Sequence, residues 1–599
     1  MNWKVSQKKY STSAYRVGLP NPSIIVSVRT DLEGNVDFSS YCQAASQLSG
    51  IDFSEHVFPE AADFLHDVSE FILAAVFNIQ MDAMVPVWQS GQVLDSRETE
   101  AELLVPVTPA SAAVTTKLIA WFISLLHEKD LTRSRYTRQQ DFQKIFAEIR
   151  SVALKSTTMW SFLRAAYELN LPYFSLPARA HQIGYGANSR WLDSTFTDTT
   201  SVVGSNMAKN KMATVQMLRM NGLPVQPSVT VNNVNDAVHL AGKMGYPVVV
   251  KPLDLDRGYG VIAGIKNDKE LREAYAKSAE KGRRIMLEKH FSGKDYRLTV
   301  FEGELVWAIE RQPAQVTGDG VKTVRQLIDQ VNASPERGNE RRTALTRIEF
   351  DDEAKFMLAK QKLTEKSIPK PDQVVTLRRI SNISSGGMPV AVFDDVHPDN
   401  SALAIRAVKV LRLDLAGVDL LIPDIRISWK ESGAAICEVN SQPGIGTYTD
   451  LSVYKKILAK LVKNSGMIPL VLVTGKDADS VAEGLYNNAL KAGKSAVAYF
   501  NKHISRFDEG QSRSECQFFE AGRQIVSDAD CDFGVVALTD DSVLMSGLPF
   551  PLFSDLIVTD GEENDSKVIS NLKNACNGNV WGADFTLDEI CKPRVVRSQ

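Results

Sequence analysis

The stretch VVVKPLDLDRGYGV, residues 248–261, runs from an apolar strand into a glycine-containing loop. Its β-branched residues lead into Lys251, and Gly258, Tyr259 and Gly260 follow after a charged segment. A lysine at a strand end can contact phosphate oxygens, and glycines let the backbone approach a phosphate without a Cβ in the way. The stretch lacks both the dinucleotide fingerprint and the Walker pattern, so taken alone it is better explained as a turn after a buried strand.

Length and composition narrow the classes of protein that need to be considered. The 599 residues are too many for one core, so three or four domains are expected. Lys and Arg number 68 against 72 Asp and Glu, which argues against a dedicated nucleic-acid binder. No apolar run approaches the roughly 20 residues of a membrane helix, and the start has no hydrophobic signal core. Six cysteines without C-x-x-C spacing fit a reduced cytoplasm and argue against a zinc site.

The pattern along the chain predicts three domains. Residues 1–160 mix strand-like alternation with long helical patterns and are expected to form an α+β domain without a catalytic motif. Residues 161–465 alternate helices and strands after a pair of short strands at 181–201, and residues 466–599 open with a βαβ unit. Ser156, Thr157 and Thr158 are good helix-capping residues at the start of the helical pattern that follows.

Two strands in IMLEKHFSGKDYRLTV, residues 285–300, favour a phosphate role for the glycine loop. Asp295 is placed to accept hydrogen bonds from a ribose. Arg297 lies two residues further on the same strand face and is suited to phosphate or carboxylate. The preceding run can present backbone groups to a purine edge and consists of Glu288, Lys289, His290 and Phe291.

Oxygen-bearing side chains on two later strands point to a hard cation. Asp419 lies in the apolar strand AGVDLLI, and Glu438 and Asn440 are two residues apart in AAICEVN, so both face one side of a strand. Carboxylate and amide oxygens are ligands that Mg²⁺ shares with nucleotide phosphates. A buried Lys or Arg partner for Glu438 is the less favoured alternative, because Asp419 and Asn440 complete a metal set.

The order of these motifs resembles the ATP-grasp fold, which D-alanine–D-alanine ligase and glutathione synthetase share. The stretches IGYGANSRWLDSTFTDTTS, KDYRLTVFEGELVWAIERQPAQVTGDGVKTVRQLIDQVN, TLRRISNISSGGMPVAVFDDVHPDN and CEVNSQPG are more closely similar to cyanophycin synthetases. The resemblance covers roughly residues 150–460 and is faint over residues 1–150. It implies an α/β and α+β multidomain chain, with an ATP-grasp fold between an N-terminal α+β domain and a degenerate C-terminal α/β domain.

The resemblance also implies roles for individual residues. Lys211 and Lys251 would bind ATP phosphates under a lid formed by residues 258–260. Glu288 and the backbone after it would hold adenine, and Asp295 the ribose. Two Mg²⁺ ions would be held by Asp419, Glu438 and Asn440. The residues placed over the γ-phosphate and the acceptor carboxylate are Arg297, Arg379, Asn382, Ser384, Ser385, Gly386 and Gly387.

The C-terminal region departs from the pattern of cyanophycin synthetases, which carry a second ligase unit of Mur type. Its candidate P-loop, VTGKDADS, has Asp479 where a Mur-type loop has lysine and Ala478 where it has glycine. A carboxylate there would repel phosphate. The magnesium-binding glutamate of a Mur-type strand is replaced by Ala537 or Leu538. Residues 466–599 are therefore expected to be a shortened Mur-ligase-like domain without catalysis.

The expected function is ATP-dependent joining of an amino acid to a peptide or small carboxylate through an acyl phosphate. The alternatives are an ATP-grasp phosphotransferase acting on a small molecule and a non-catalytic pseudo-ligase that binds nucleotide or peptide. A cytoplasmic homo-oligomer, dimer or tetramer, is expected, with neither a nucleic-acid nor a membrane partner.

Overall fold

The chain folds into two compact units. Unit 1 contains Met1–Trp191 and Leu458–Gln599, and unit 2 contains Leu192–Ile457. The structure is a computed structural model, and it describes residues 3–8, 14–16, 19–30, 38–51, 64–97, 99–126, 131–255, 260–282, 284–338, 343, 345–379, 381–445, 450, 452–508, 513–539, 543, 546–559 and 567–582. In that part of the chain, no helix is both long and apolar enough to cross a membrane.

The N-terminal part of unit 1 packs helices on one face of an antiparallel sheet. The sheet order is β1-β3-β5-β4, and β2 pairs with β3. The elements are β1 (Trp3–Gln7), β2 (Ala14–Tyr15), β3 (Pro22–Thr30), α1 (Phe38–Ser49), α2 (Phe64–Asp82), β4 (Gln92–Arg97), β5 (Glu100–Pro106), α3 (Ala112–Leu126), α4 (Leu131–Val152), α5 (Thr157–Glu168), β6 (Tyr173–Ser175) and β7 (His181–Ile183). Apolar residues of β3, β5 and helices α1–α4 share one core. This α+β layering agrees with the sequence pattern.

Unit 2 is built around two antiparallel sheets. One has the order β10-β13-β11-β12, the other has the order β18-β15-β14-β19-β20, and β16 pairs with β17. The elements, from the unit boundary onward, are β8 (Arg190–Asp193), β9 (Phe196–Thr197), α6 (Val202–Lys209), α7 (Lys211–Met220), β10 (Ser228–Val231), α8 (Val234–Met244), β11 (Val248–Pro252), β12 (Ile262–Ile265), α9 (Asp268–Ala279), β13 (Ile285–Lys289), β14 (Lys294–Phe301), β15 (Glu304–Gln312), β16 (Gln315–Thr317), α10 (Val324–Asn332), α11 (Asp352–Lys360), β17 (Val374–Thr376), β18 (Met388–Ala391), α12 (Pro398–Val410), β19 (Leu415–Ile422), α13 (Trp429–Ser432), β20 (Ala435–Asn440) and α14 (Ser452–Leu461).

Side-chain alternation gives the five-stranded sheet of unit 2 one apolar and one polar face. Tyr296, Leu298 and Val300 alternate along β14 and lie fully buried in the core that also contains apolar residues of α12. The residues between them project to the opposite face, because successive side chains of a strand point to opposite sides. The polar face therefore begins with Asp295 and Arg297.

The threonine-rich motif STFTDTTS forms a turn that is bonded to the start of β19. The carboxylate of Asp414 accepts hydrogen bonds from the hydroxyl groups of Thr197, Thr199 and Thr200. The hydroxyl group of the buried Thr195 donates to the carbonyl of Pro443, 3.2 Å away and beyond the end of β20. The turn thus contacts segments next to both strands that carry the predicted metal ligands.

The C-terminal part of unit 1 is a mixed sheet flanked by helices. Its order is β24-β23-β22-β25-β21-β26-β27, with β21 and β22 both parallel to β25. The elements are β21 (Leu470–Thr474), α15 (Ala478–Lys491), β22 (Ala496–Phe500), β23 (His503–Arg506), β24 (Arg513–Glu515), α16 (Phe518–Ser527), β25 (Phe533–Leu538), β26 (Phe553–Val558), α17 (Lys567–Ala575) and β27 (Cys576–Trp581). Strands β21, β22 and β25 are buried along their whole length, as expected for parallel strands covered on both faces.

Several expectations from the sequence are confirmed by these elements. The predicted βαβ unit after Met467 is β21-α15-β22. Ser156 caps α5, since its hydroxyl group accepts a hydrogen bond from the backbone N–H of Met159. Strands β8 and β9 pair within the predicted segment 181–201. The multidomain α/β and α+β class is confirmed, and the three-domain division stays a prediction.

Candidate functional site

The polar face of the five-stranded sheet gathers charged side chains from neighbouring strands. Arg297 on β14 lies opposite Asp419 on β19, and Asp295 lies opposite Arg311 on β15. Asp419 in turn lies opposite Glu438 on β20. Because facing residues on adjacent strands have their Cβ atoms about 5 Å apart, this register brings opposite charges together in the first two pairs and two carboxylates together in the third.

Arg297 and Arg311 both bind the carboxylate of Asp419. The Nε of Arg297 donates to one carboxylate oxygen, and its Nη2 donates to the other at 3.1 Å. The Nη2 of Arg311 lies 3.0 Å from the second oxygen of Asp419. The same nitrogen donates to Asp295 at 2.6 Å, so Arg311 bridges the two carboxylates. Asp419 is buried, with 5% of its surface exposed.

The two carboxylates respond differently to this environment. Burial works to raise the pKa of Asp419, but Arg297 and Arg311 outweigh it, and the pKa of Asp419 is lowered. Burial also raises the pKa of Asp295, and the pull of Arg311 together with Arg297 does not fully offset burial and the nearby charge of Asp419. Asp419 is therefore the more firmly ionised of the pair, which suits a group that binds a cation.

A second ion pair lies on the four-stranded sheet of unit 2. The Nζ of Lys251 at the end of β11 lies 2.6 Å from a carboxylate oxygen of Glu288 on β13. Burial lowers the pKa of Lys251, but Glu288 and other anionic neighbours raise it more, so the pKa of Lys251 ends above its ordinary value. Lys251 is thus a fixed positive charge at this position.

These groups line one cavity of about 970 Å³ within unit 2. Most of the residues predicted from the sequence lie on its wall. They are Lys211, Lys251, Glu288, Lys289, His290, Phe291, Asp295, Arg297, Arg379, Asn382, Asp419, Glu438 and Asn440. A volume of this size is in the range of small-molecule sites.

Other predicted residues lie elsewhere. Gly258 and Tyr259 fall outside the described residues. Among the described residues, Gly260, Ser384 and Ser385 are not part of the cavity wall. Gly260 accepts a hydrogen bond from Ser278 and packs on the ring of Pro252, and Ser385 donates to the carbonyl of Asn382 in a short 3₁₀ turn. Their predicted lid and substrate roles stay predictions.

Two predicted lysines have their side chains engaged by backbone carbonyls. Lys211 begins α7, and its Nζ donates to the carbonyl of Leu255. The Nζ of Lys289 donates to the carbonyls of Gly245 and Tyr246 at 2.8 and 3.1 Å. The backbone N–H of Lys289 is also used, since it donates to the carbonyl of Pro227. Lys289 therefore stabilises the turn before β11 as well as lining the cavity.

The predicted metal ligands come from two adjacent strands. Asp419 faces Glu438 across the β19–β20 pair, and Asn440 faces Gly417. The Nδ2 atom of Asn440 is buried without a hydrogen-bond partner. Within the described ranges, no group of three or more His, Cys, Asp and Glu side chains has the arrangement of a metal site. Two carboxylates and the side-chain amide of Asn440, whose own Nδ2 is the unpartnered atom, fit a hard cation that takes its remaining ligands from a substrate.

Arg311 is the functional residue that sequence reasoning missed. It lies in the stretch ELVWAIERQ, in which apolar residues alternate with polar ones near the strand end. Its position opposite Asp295 depends on a bulge between Thr299 and Val300, which shifts the β14–β15 register by one residue from the pairing that the tight turn at Glu302 and Gly303 begins. Without that bulge Glu310 would face Asp295, so the turn alone does not predict the partner. Cys437, which lines the cavity and precedes the predicted metal ligand Glu438, is likewise not among the predicted site residues.

Residues 217–319 match the family model described as D-ala D-ala ligase C-terminus. The chain is 32% identical over 438 residues to the cyanophycin synthetase of Nostoc sp., a match covering 70% of this chain and 48% of that protein. It is 31% identical over 261 residues to the glutathione biosynthesis bifunctional protein GshAB of Clostridium perfringens, a match covering 42% of this chain and 33% of that protein. Among solved structures, a bifunctional glutathione synthetase from Pasteurella multocida aligns at 17% identity and a TM-score of 0.42, covering 73% and 81% of the two chains.

These matches confirm the resemblance to cyanophycin synthetases and the ATP-grasp expectation for the region around the site. The chain spans about half the length of the cyanophycin synthetases that it matches. The roles of individual residues and the activity of the chain are taken up below as proposals.

Replacing Arg311 by methionine should destabilise the protein by about 3 kcal/mol, because Asp295 and Asp419 would share a buried site with one arginine fewer. The measurement is the free energy of unfolding by urea at neutral pH. Lys294→Met is the matched control, since Lys294 is 57% exposed in its pair with Glu310 and should cost less than about 1 kcal/mol. Equal losses in the two variants would contradict a special role for the Arg311 bridge.

The thiol of Cys437 should resist alkylation in the native protein. Burial raises its pKa and Glu288 raises it further, while Lys251 works in the opposite direction. A raised thiol pKa keeps the unreactive protonated form dominant, so raising the pH from 7 to about 9 should not bring its labelling near the rate of the unfolded chain. Iodoacetamide labelling followed by mass spectrometry measures this, with the urea-unfolded chain as the reference. Rapid native labelling that rises tenfold per pH unit from pH 7 to 8 would show an ordinary, accessible thiol.

Proposed function

We propose that this chain is an ATP-dependent carboxylate–amine ligase that joins an amino acid to a peptide or amino-acid carboxylate. The observation that carries the proposal is the cavity wall of unit 2, where Lys251, Arg297 and Arg311 lie with Asp419, Glu438 and Asn440. Cations and oxygen ligands in one small-molecule cavity are what phosphoryl transfer requires, since its catalysis rests on positioning and charge neutralisation. Similarity to cyanophycin synthetases and to a glutathione biosynthesis protein supports this class of chemistry.

The reaction that we propose has two steps. A carboxylate oxygen of the first substrate attacks the γ-phosphorus of ATP, and the bond from that phosphorus to the β-phosphate oxygen breaks to release ADP. The amine nitrogen of the second substrate then attacks the acyl carbon, and the carbon–oxygen bond to phosphate breaks. The amine loses a proton as the amide forms, and inorganic phosphate leaves.

The chain's own residues would place and neutralise these groups. Lys211 and Lys251 would contact ATP phosphates, and Arg297 would stabilise charge on the transferred phosphoryl group. Arg379 also lines the cavity and is proposed to contact the acceptor carboxylate; its guanidinium group stacks over the ring of Phe356, 4.3 Å from the ring centre. Glu288 and the strand end that follows it are the proposed nucleotide edge, although its carboxylate is paired with Lys251 here.

Asp419, Glu438 and Asn440 would hold the Mg²⁺ that accompanies ATP. When bound, Mg²⁺ neutralises phosphate charge and aligns the phosphate oxygens. The lowered pKa of Asp419 keeps this ligand ionised at neutral pH. The Nδ2 atom of Asn440 is buried and makes no hydrogen bond, so this nitrogen does not tie the side-chain amide to the rest of the fold.

We further propose that residues 467–599 form a non-catalytic, Mur-ligase-like α/β domain. Helix α15 follows the loop that resembles a P-loop, and acidic Asp479 lies in its first turn. The carboxylate of Asp479 accepts a hydrogen bond of 2.7 Å from the backbone N–H of Asn501. A helix start with its own carboxylate repels a nucleotide phosphate. The expected homo-oligomer and cytoplasmic location stay predictions.

The purified chain should release ADP and phosphate only when an amine substrate and a carboxylate substrate are both present. The test is a coupled ADP assay over a panel of amino acids and short acidic or basic peptides, with mass spectrometry of the products. Glu438→Gln should lower kcat at least a hundredfold, because a neutral amide is a weaker Mg²⁺ ligand than a carboxylate. Glu304→Gln, on the same unit but outside the cavity wall, is the control and should keep its activity.

Each other outcome of this assay points to a different function. AMP and pyrophosphate as products would exclude an acyl-phosphate ligase. A phosphorylated small molecule without an amide would indicate a phosphotransferase. ATP binding without turnover across the whole panel would indicate a pseudo-ligase.

Substitution of Lys476 by alanine in the loop before α15 should leave kcat and the KM for ATP within about twofold of the wild type. The reason is that this loop is proposed to bind no nucleotide, with Asp479 bonded to the backbone of Asn501. Lys251→Ala, in the proposed ATP site, is the contrasting variant and should lower kcat/KM for ATP at least a hundredfold. A tenfold loss in Lys476→Ala would mean that the C-terminal region contributes a nucleotide site after all.

A further inference from the structure

We infer that Gly417 is a positioning residue for Arg297: the missing side chain on β19 leaves the space in which the Arg297 side chain crosses the strand to reach Asp419. The inference rests on the proposed function only for its consequence in catalysis. Its geometric part stands on contacts within unit 2. Nothing in the sequence marks Gly417, because a glycine in the apolar run LAGVDLLI has no chemistry of its own.

The space beside Gly417 is already filled. A Cβ built on Gly417 would lie 2.8 Å from the Cδ and 3.3 Å from the Nε of Arg297, and 3.0 Å from the Cβ of Pro443. Carbon atoms in contact prefer about 3.5–4.0 Å, so at least one neighbour would have to move. The Nε that is crowded is the atom that donates to Asp419.

Pro443 is the neighbour with less freedom to move. Its carbonyl accepts the hydrogen bond from the buried hydroxyl group of Thr195. Proline has a fixed φ angle and no χ freedom comparable to that of arginine. A side chain at position 417 would therefore displace Arg297, whose long stem offers the cheaper adjustment.

Displacement of Arg297 would affect both its contact with Asp419 and its proposed contact with the transferred phosphoryl group. Asp419 would keep Arg311 but lose the two-pronged contact with Arg297. Arg297 would also leave its place beside the transferred phosphoryl group. A misplaced Arg297 should lower kcat more than it changes the KM for ATP, since its guanidinium group is proposed to act on charge that develops in the transition state.

The backbone of Gly417 does not itself require glycine. Gly417 does not appear among the glycines with positive φ, and it pairs regularly with Thr299 on β14 and with Asn440 on β20. In such an extended conformation alanine would normally stabilise a strand relative to glycine. Any loss of stability in Gly417→Ala therefore reports the crowding and not the strand.

Gly417→Ala should lower the thermal midpoint of the purified full-length chain by about 3 °C in calorimetry and lower kcat for ADP release about tenfold or more, with the KM for ATP changed less than threefold. Gly444→Ala is the matched control. It also lies in unit 2, next to Pro443 in the segment after β20, has no atom within 4 Å of a built Cβ and shows no positive φ. Its thermal midpoint and kcat should stay at the wild-type values.

A double-mutant cycle separates the role of Gly417 in positioning Arg297 from a general packing role. Arg297→Ala removes the Cδ and Nε that a methyl group at 417 would meet, so adding Gly417→Ala to Arg297→Ala should lower the midpoint by less than about 1 °C. The same drop in both backgrounds would overturn the inference and assign the strain to Pro443. If the wild type releases no ADP with any substrate, the proposed ligase activity fails, while the midpoints of the four proteins in the cycle still decide the inference.

Discussion

The site depends on the burial of Asp419 between two arginines. Removing a carboxylate from water is costly, and the pKa of Asp419 is nevertheless lowered because Arg297 and Arg311 both donate to it. That arrangement exists only in one register of β14, β15 and β19. A shift by a single residue would turn Asp295 and Arg297 into the core and expose Tyr296 and Leu298 instead. The apolar face and the charged face therefore specify the same alignment of strands.

Strand alternation in the sequence predicts which residues share a face, but it does not predict which residues pair across strands. Strand alternation around Asp295 and Arg297 was enough to place both on one face, and the two-residue spacing of Glu438 and Asn440 placed them beside Asp419. Most of the motif residues therefore could be predicted to meet in one cavity. Their partners could not, because pairing across strands depends on register. The sequence predicts that Glu288 faces the nucleotide, but its carboxylate forms an ion pair with Lys251. The side chain of Lys289 donates hydrogen bonds to backbone carbonyls.

The contribution of small residues was harder to predict than that of charged ones. Gly417 and Thr195 lie in stretches whose composition suggests only a buried strand and a polar turn. Their effect arises from the residues that other segments place beside them. The side chain of Arg297 lies next to Gly417, and the carbonyl of Pro443 accepts a hydrogen bond from Thr195. A single sequence does not show such contacts, since neither residue is charged, and neither a glycine within a strand nor the threonine-rich motif indicates which segment lies beside it.

The charges within the network are balanced. Lys251, Arg297 and Arg311 contribute three cations, and they contact three anions, Glu288, Asp295 and Asp419. Among the described residues, the cavity wall as a whole carries eight Lys and Arg side chains against five Asp and Glu side chains, so a polyanionic nucleotide would gain from this excess of positive charge as well as from exchange of partners within the network. In the proposed site, a divalent cation held by Asp419 would compete with Arg297 and Arg311 for its carboxylate, and the arginine donors released in this way would be available to phosphate oxygens. In the proposed function, such a network would therefore bind nucleotide together with metal better than either alone.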